Sequence, residues 1–111
     1  MGGVRISRFD ENAEVLRDLA SKGVDLARPR SIDFAHVFPD RPSAQAFAGV
    51  LEREGSKAVV EGVDREANPW DVIVSKIMVP TCGNLTETEE HLDALAQGHG
   101  GRSDGWGFLE T

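Results

Sequence analysis

Residues 70–79, with the sequence Trp-Asp-Val-Ile-Val-Ser-Lys-Ile-Met-Val, decide the fold of this chain. Seven of these ten residues are apolar, and the valines and isoleucines among them are branched at Cβ, which favours a strand over a helix. Alternation along a strand divides the apolar side chains into two sets, Trp70, Val72, Val74 and Met78 on one face and Ile73, Ile77 and Val79 on the other. Because both faces are apolar, we predict a central strand that is covered at least in part on each side.

Composition and charge restrict the class of protein. The chain has 111 residues, of which 40% are hydrophobic, so we expect one globular domain over residues 10–111 after a flexible start at residues 1–9. The net charge of −7 disfavours a nucleic-acid partner and favours a protein partner with a basic segment. A single cysteine, with neither an apolar leader nor a membrane-spanning run, is typical of a cytoplasmic protein.

Helix and strand patterns alternate along the chain. The predicted helices are at residues 10–22, 43–54 and 87–97, and the predicted strands are at 31–38, 57–63, 70–79 and 102–110. A capping box formed by Thr86 and Glu89 is expected to open the last helix. Without the first helix the order is β-α-β-β-α-β, and two right-handed crossovers then give a ferredoxin-like α+β sandwich with a four-stranded antiparallel sheet. The additional N-terminal helix is expected over part of the second sheet face.

The sharpest local motif is Asp104-Gly105-Trp106-Gly107, near the C-terminus. Glycines on either side of a tryptophan let the backbone bend, while the indole supplies a large apolar surface. Two interpretations stay open. Either Trp106 fills the core from an edge strand with the glycines in a bulge, or the strand is an edge on which a partner docks through Trp106 or Phe108.

This motif, after a Gly-Gly loop and a helix, resembles the ribonuclease E inhibitor family, also called regulator of ribonuclease activity B. The segments 30–34 and 78–80 and the alanine-rich second helix are also similar, and the resemblance covers about residues 12–110. It implies a ferredoxin-like bacterial cytoplasmic protein, without catalytic activity or a cofactor, that binds the protein scaffold of ribonuclease E and restrains it. The resemblance departs at the C-terminus, where those proteins carry a long acidic extension and this sequence ends at Thr111.

Acidic side chains are the candidates for contact with a basic partner, because opposite charge steers association. Some lie near the turn between the second and third strands and others on the last helix. The predicted partner-binding residues, together with the tryptophan motif, are Glu66, Asp71, Glu89, Glu90, Asp104, Gly105, Trp106, Gly107 and Phe108. The alternative is that these carboxylates only solubilise the surface.

An enzymatic function is disfavoured. Cys82 with His91 or His99 has no third group to orient a base and no assigned oxyanion hole. His36 lies on an apolar strand face, so we expect it to make a hydrogen bond within the core rather than to bind a metal. We therefore predict neither a catalytic residue nor a metal site.

The alternative function is a small-molecule-binding or sensor module of the same fold. It requires a deep apolar pocket between the first helix and the second sheet face at Ile73, Ile77 and Val79. The oligomeric state also stays open, because the edge strand at 103–110 could pair with a second copy to give a dimer.

Overall fold

The structure, a computed structural model, describes residues 8–108, which contain three helices and four strands. The helices are α1 (Arg8–Ser21), α2 (Arg41–Arg53) and α3 (Cys82–Gln97), and the strands are β1 (Arg30–Phe38), β2 (Lys57–Gly62), β3 (Trp70–Met78) and β4 (Arg102–Phe108). The expected flexible start, up to residue 7, and the expected continuation of the last strand beyond residue 108 lie outside the described residues. Arg8 and Phe9 already belong to α1.

The four strands form one antiparallel sheet in the order β2-β3-β1-β4. The two central strands pair along their whole length, from Arg30 opposite Met78 to Phe38 opposite Trp70. They are also the most apolar strands, and a position with neighbours on both sides buries them best. The prediction of a ferredoxin-like α+β sandwich with an additional N-terminal helix is confirmed.

The helices cover one face of the sheet, and the core lies between them. The buried side chains that β1 and β3 place on this face are Ile32, Phe34, His36, Phe38, Val72 and Val74. The buried residues of α2 are Ala44, Phe47, Ala48 and Leu51, which have the helical spacing seen in the sequence. The Phe47 ring lies 4.9 Å from the ring of His36 and 5.1 Å from that of Phe38, between centroids. Removal of this apolar surface from water is the main source of stability.

The start of α2 follows directly from its sequence. Asp40 has an extended backbone, and its side chain accepts a hydrogen bond of 2.9 Å from the backbone N–H of Ser43. This bond satisfies one of the free N–H groups of the first turn and holds the pKa of Asp40 below its usual range. Pro42 occupies the first turn, where its missing N–H costs nothing.

α1 packs against α3 on the helix-covered face, and the prediction that it lies over the second sheet face is wrong. Leu16 of α1 is buried in the same core as α2 and α3. Among residues 8–108, no helix lies over the second face, where Ile77 is 78% and Val59 49% exposed. Alternation correctly assigned Ile77 to that face, but it could not show that the face is open.

The start of α3 also differs from its prediction. Thr81 is the N-cap, and its hydroxyl accepts a hydrogen bond of 3.0 Å from the backbone N–H of Asn84. Thr86 and Glu89 are therefore buried residues inside the helix and not a capping box at its start. The Thr-x-x-Glu spacing was misleading because Thr81 offers a cap one turn earlier, directly after Pro80.

Gly101 brings β4 close to the end of β1. A Cβ atom at this position would lie 2.6 Å from the carbonyl oxygen of Val37 and would overlap the Phe38 ring. The backbone N–H of Gly101 donates to the carbonyl of Ala96, which ties the strand to the end of α3. Only glycine lets the chain come this close to Val37 and Phe38. This close contact sets the start of the strand that carries the tryptophan motif.

Candidate functional site

A bulge in β4 determines which way the tryptophan motif points. Ser103 lies opposite His36, whereas Trp106 lies opposite Phe34, so Asp104 and Gly105 together face a single residue of β1. Gly105 has φ +102°, which a residue with a Cβ rarely adopts. Because of this extra residue, Trp106 follows the bulge on the helix-covered side, in register with the buried Phe34.

Trp106 packs against the core and makes one specific hydrogen bond. Its indole Nε1–H donates to the side-chain oxygen of Asn12, at 2.8 Å. Its ring lies 5.4 Å from the Phe108 ring, between centroids, and the guanidinium of Arg30 lies 4.7 Å above Phe108. This geometry supports the interpretation of Trp106 as a core side chain on an edge strand beside a bulge, while one side of the indole still borders a cleft described below.

Asn12 joins three elements of the fold. It is only 4% exposed, and its Nδ2 donates to Thr86 Oγ1 at 3.1 Å and to Glu89 Oε1 at 2.8 Å. Its oxygen accepts from Trp106, so one amide connects α1 to α3 and to β4. A buried amide is costly unless it is hydrogen-bonded, and this one uses both its donor and its acceptor atoms.

Glu89 is the buried end of this network and is 6% exposed, whereas the adjacent Glu90 is exposed. Burial raises the pKa of Glu89, because the ionised carboxylate loses hydration, although the bond from Asn12 and the charge of Arg8 partly oppose the rise. The sequence analysis grouped Glu89 with the acids of an accessible helix surface. Its position, three residues after Thr86, instead turns it toward α1.

Asp93, one turn after Glu89, makes a second link between the same elements. Its carboxylate accepts from the backbone N–H of Ser103 at 2.8 Å and from Gln97 at 2.9 Å, and it forms an ion pair of 3.3 Å with Arg8. Burial tends to raise the pKa of Asp93, but these hydrogen bonds outweigh it and hold the pKa below the usual value. Arg8 at the start of α1 is thereby fixed to α3.

An open cleft lies between α1 and β4, beside this network. Its volume is about 340 Å³. The residues that line it are Arg8, Glu11, Asn12, Val15, Glu89, Ser103, Gly105 and Trp106. The structure thus brings Gly105, Trp106 and Glu89 from the predicted partner-binding residues to one place.

The other predicted residues lie elsewhere. Asp71 lies on the open face of β3 and forms an ion pair of 2.8 Å with Arg65, and Glu66 is exposed in the adjoining loop. Asp104 is exposed at the bulge, with its carboxylate 4.0 Å from the guanidinium of Arg102. Gly107 lies opposite Asp33 on the open face. Glu66 and Asp71 therefore lie apart from Glu89 and Trp106, whereas Asp104 and Gly107 belong to the same strand as Trp106.

Cys82 and His36, considered above as a nucleophile and as a metal ligand, make contacts that support the fold. The thiol of Cys82 donates to the Phe9 carbonyl at 3.2 Å, which adds to the packing of α1 on α3. His36 contacts the Val72 carbonyl through Nδ1 at 3.4 Å inside the core, as predicted, and burial lowers its pKa. Within residues 8–108, no group of three metal-ligating side chains is found.

A larger open groove, of about 760 Å³, lies at the C-terminal end of α1. It is bordered by Leu19, Arg28 and Phe108, and Arg28 is paired with Asp25 at 3.3 Å. It does not coincide with the apolar pocket that a small-molecule module would need, because α1 packs on the opposite side of the sheet from Ile73 and Ile77. The pocket that the small-molecule alternative requires between α1 and the second sheet face is therefore not formed in the described residues.

Sequence analysis missed the contacts by which Asn12, Arg8 and Asp93 hold α1 in place. A signal for Asn12 was present, since it precedes Leu16 by four residues and so falls on the apolar stripe of α1. A polar residue on such a stripe must find buried partners, and Thr86 and Glu89 occupy the matching stripe of α3. The ion pair of Arg8 with Asp93 has no comparable signal, because both residue types are common on exposed helix faces.

These features define a small α+β sandwich whose polar side chains cross-link its elements and border a cleft. In the described part of the chain, no helix is both long and apolar enough to cross a membrane. A family model described as regulator of ribonuclease activity B matches residues 9–108, nearly the whole chain. The chain therefore belongs to this family, a family of regulators of ribonuclease activity, as the resemblance indicated. A comparison with curated protein sequences gives no match.

Proposed function

We propose that this chain is a non-enzymatic, cytoplasmic regulatory protein that binds a basic segment of a ribonuclease, of the ribonuclease E type, and restrains RNA degradation. The observation that carries the proposal is the family match over residues 9–108. The described polar groups support it, because Asn12, Glu89 and Asp93 serve internal hydrogen bonds rather than a reaction centre.

The charge distribution supports a basic partner. The net charge is −7, and α1 and α3 present exposed acids on their outer surfaces, among them Glu11, Glu14, Glu87 and Glu90. An acidic surface steers a basic segment toward it and repels RNA, so the domain competes with RNA for an arginine-rich region. Occlusion of that region is the mechanism of restraint that we propose.

The partner-binding residues that we propose fall into two groups. Glu89, Glu90 and the segment from Asp104 to Phe108 lie on or beside α3 and β4, at one edge of the sheet. Glu66 and Asp71 lie near the opposite edge and extend the acidic surface over the open face. Among the described strands β4 pairs with β1 alone, so its outer edge is available for a partner segment or a second copy.

Binding of a ribonuclease E scaffold fragment, measured by calorimetry at low and high salt, tests the proposal. We expect binding at low salt and strong weakening near 1 M salt, where the screening length falls to about 3 Å. The rate of RNA cleavage by the full ribonuclease, measured with and without the domain, should fall when the domain is present. Lack of binding at low salt, or an unchanged cleavage rate, would refute the proposal.

A matched pair of charge reversals localises the surface. The double change Glu87→Lys and Glu90→Lys on α3 should weaken binding strongly, because it reverses two exposed charges beside the proposed edge. The same change at the exposed Glu52 and Glu54, at the end of α2, alters the net charge equally. If both variants weaken binding to the same extent, only net charge matters and the proposed surface is wrong.

A further inference from the structure

We propose that the cleft between α1 and β4 holds the guanidinium group of an arginine side chain from the partner. This inference rests on the proposed function and assigns its specific contact. The cleft has about 340 Å³, near the lower end of the roughly 300–1,000 Å³ range of small-ligand pockets. A single side chain, rather than a helix or a strand, fits a site of this size.

The first observation is that, among residues 8–108, only one of the two carboxylate oxygens of Glu89 has a hydrogen-bond partner. Its Oε1 accepts the hydrogen bond from Asn12, and no donor among residues 8–108 bonds to its other oxygen. In the described residues, every fully buried side-chain oxygen has a hydrogen-bond partner. The second oxygen of Glu89 has none there, so it is not fully buried and is open to the cleft that this residue lines. A carboxylate that is 6% exposed and has a free oxygen is a strong acceptor for a charged donor.

The indole of Trp106 is the second observation. It lines the same cleft as Glu89, and its Nε1–H bond to Asn12 fixes the orientation of the ring. The face of an indole attracts cations, and a guanidinium can also stack on it. Asn12 therefore holds the aromatic ring and the carboxylate in one arrangement before any ligand arrives, which lowers the entropy cost of binding.

The charges around the cleft favour a cation. Glu11 is exposed at its mouth, and Glu89 forms its wall. Arg8 is the one lining residue of opposite sign, and its guanidinium is engaged by Asp93 at 3.3 Å. Arg8 is thus paired with a carboxylate that does not line the cleft, while Glu89 forms no ion pair among the described residues.

Arginine is favoured over lysine for geometric reasons. A guanidinium is planar, weakly hydrated and able to bond to a carboxylate while its plane lies on an aromatic ring. An ammonium group is compact and strongly hydrated, and it gains less from a partly dry site. The cleft is accordingly selective for arginine among the basic side chains.

Titration of the ¹⁵N-labelled protein with hexa-arginine, followed by NMR, tests the inference. The chain has two tryptophans and hence two indole N–H signals. We expect the Trp106 signal to shift with saturation and the Trp70 signal to stay, because Trp70 lies on β3, opposite Phe38 and Gly62, and β1 separates that strand from β4. Hexalysine should shift the Trp106 signal less at the same concentration.

Substitutions at the cleft supply the controls. Glu89→Gln keeps an acceptor for Asn12 but removes the charge, and we expect about tenfold weaker hexa-arginine binding, equal to about 1.4 kcal/mol. Glu52→Gln makes the same change at an exposed position near the end of α2, away from the cleft, and should leave the affinity nearly unchanged. Glu11→Gln, at the mouth of the cleft, is a second variant that leaves the Asn12 network intact, and it should also weaken binding.

The outcomes separate this inference from the proposed function. If the ribonuclease fragment binds while the Trp106 signal and the Glu89→Gln affinity stay unchanged, the cleft is not the contact and only the inference fails. If hexa-arginine saturates the cleft but the ribonuclease fragment does not bind, the proposed function fails and the cleft stands. Equal shifts with hexalysine would overturn the selectivity for a guanidinium.

Discussion

The two faces of the sheet carry similar apolar side chains in different surroundings. On the helix-covered face, Phe34 and Val74 are fully buried beneath the helices, and the polar side chains there are hydrogen-bonded in pairs or networks. On the other face, Ile77 and Val59 are largely exposed beside charged residues of the same strands. The comparison shows that strand alternation distributes side chains but does not decide which face is closed. The positions of the helices decide it, because α2 and α3 pack directly on one face of the sheet and α1 packs against α3.

The hydrogen bonds of α1 explain why it joins the covered face. Asn12 finds donors and acceptors on α3 and β4, and Arg8 finds Asp93. On the open face, Asp33 is bonded to Ser75 at 2.6 Å. The polar residues of α1 thus contribute to its docking site together with the buried Leu16.

The largest expected effect on stability comes from removing a large buried side chain from the helix-covered face. Phe34→Ala should lower the free energy of unfolding by about 3–5 kcal/mol, because it leaves a cavity between the sheet and the helices. Denaturant unfolding followed by circular dichroism measures this loss. A cost below about 1 kcal/mol would mean that this face is not the core.

Gly101, directly before β4, and Gly107, within β4, give a matched test of the two faces. Gly101→Ala should cost about 1–3 kcal/mol, because the new Cβ would meet the Val37 carbonyl and the Phe38 ring. Gly107→Ala should be nearly neutral, because nothing lies within 4 Å of its Cβ position on the open face. Thermal unfolding of the two variants side by side decides the matter, and equal losses would contradict the described packing of β4.

The hydrogen bond of Trp106 can be removed while most of the aromatic surface stays. Trp106→Phe should cost about 1–3 kcal/mol, because it leaves the oxygen of Asn12 buried without a donor. The double variant with Asn12→Ala should cost less than the sum of the single changes, since the two residues share one bond. Additive losses in denaturant unfolding would show that the bond contributes nothing to stability.

Glu89 should make the stability depend on pH, with a smaller effect. Its pKa is raised in the folded state by burial, so the folded chain holds more protons than the unfolded chain between the usual glutamate pKa and the raised one. The free energy of unfolding should therefore decrease as the pH rises through this window. Glu89→Gln should abolish that decrease in denaturant titrations from about pH 4 to about pH 8.

Glu90→Gln is the control for this measurement, because its side chain is exposed one position further along the same helix. It should keep the pH profile of the unmodified protein. If the two variants had the same profile, Glu89 would not be buried in solution. A gain in stability at neutral pH for Glu89→Gln, together with weaker arginine binding, would show that the protein keeps a costly charge for recognition.

The smallest expected effect is on the open face. Ile77→Ala should change the free energy of unfolding by less than about 0.5 kcal/mol, because the side chain is 78% exposed and fills no cavity. Chemical denaturation beside Phe34→Ala measures the contrast directly. A loss as large as that of a core residue would mean that another part of the chain, or a second copy, covers Ile77.

The sequence was sufficient to predict the strands, the order of the strands in the sheet and the positions of the helices within about five residues. Periodicity determined these features, because β1 and β3 are the most apolar of the four strands and α2 has a capped, regular apolar stripe. One of the two interpretations of Asp104-Gly105-Trp106-Gly107 also indicated the bulge and the packing of the indole against the core. Local patterns of this kind depend on neighbours in sequence, which is why they are visible without a structure.

The contacts of α1 and the burial of Glu89 could not be predicted from the sequence, because both depend on long-range contacts. The bonds of Asn12 to Glu89 and Trp106 join residues far apart in the chain. Thr86 and Glu89 also fitted a local capping motif that competed with their true role inside α3. Glu89 and Glu90 look alike in the sequence. Only the packing of α1 against α3 distinguishes the buried Glu89 from the exposed Glu90.

The order of the strands has a kinetic consequence. β2 and β3 are joined by a short connection and can pair early, whereas β4 must meet β1 across most of the described chain. Closing the longer loop costs more entropy, so the strand that carries Trp106 joins the sheet late. Because Asn12 also accepts a hydrogen bond from Trp106, we expect the docking of α1 to be completed only after β4 has joined the sheet. Changes at this junction should mainly speed unfolding, whereas changes in the β2–β3 hairpin should slow folding.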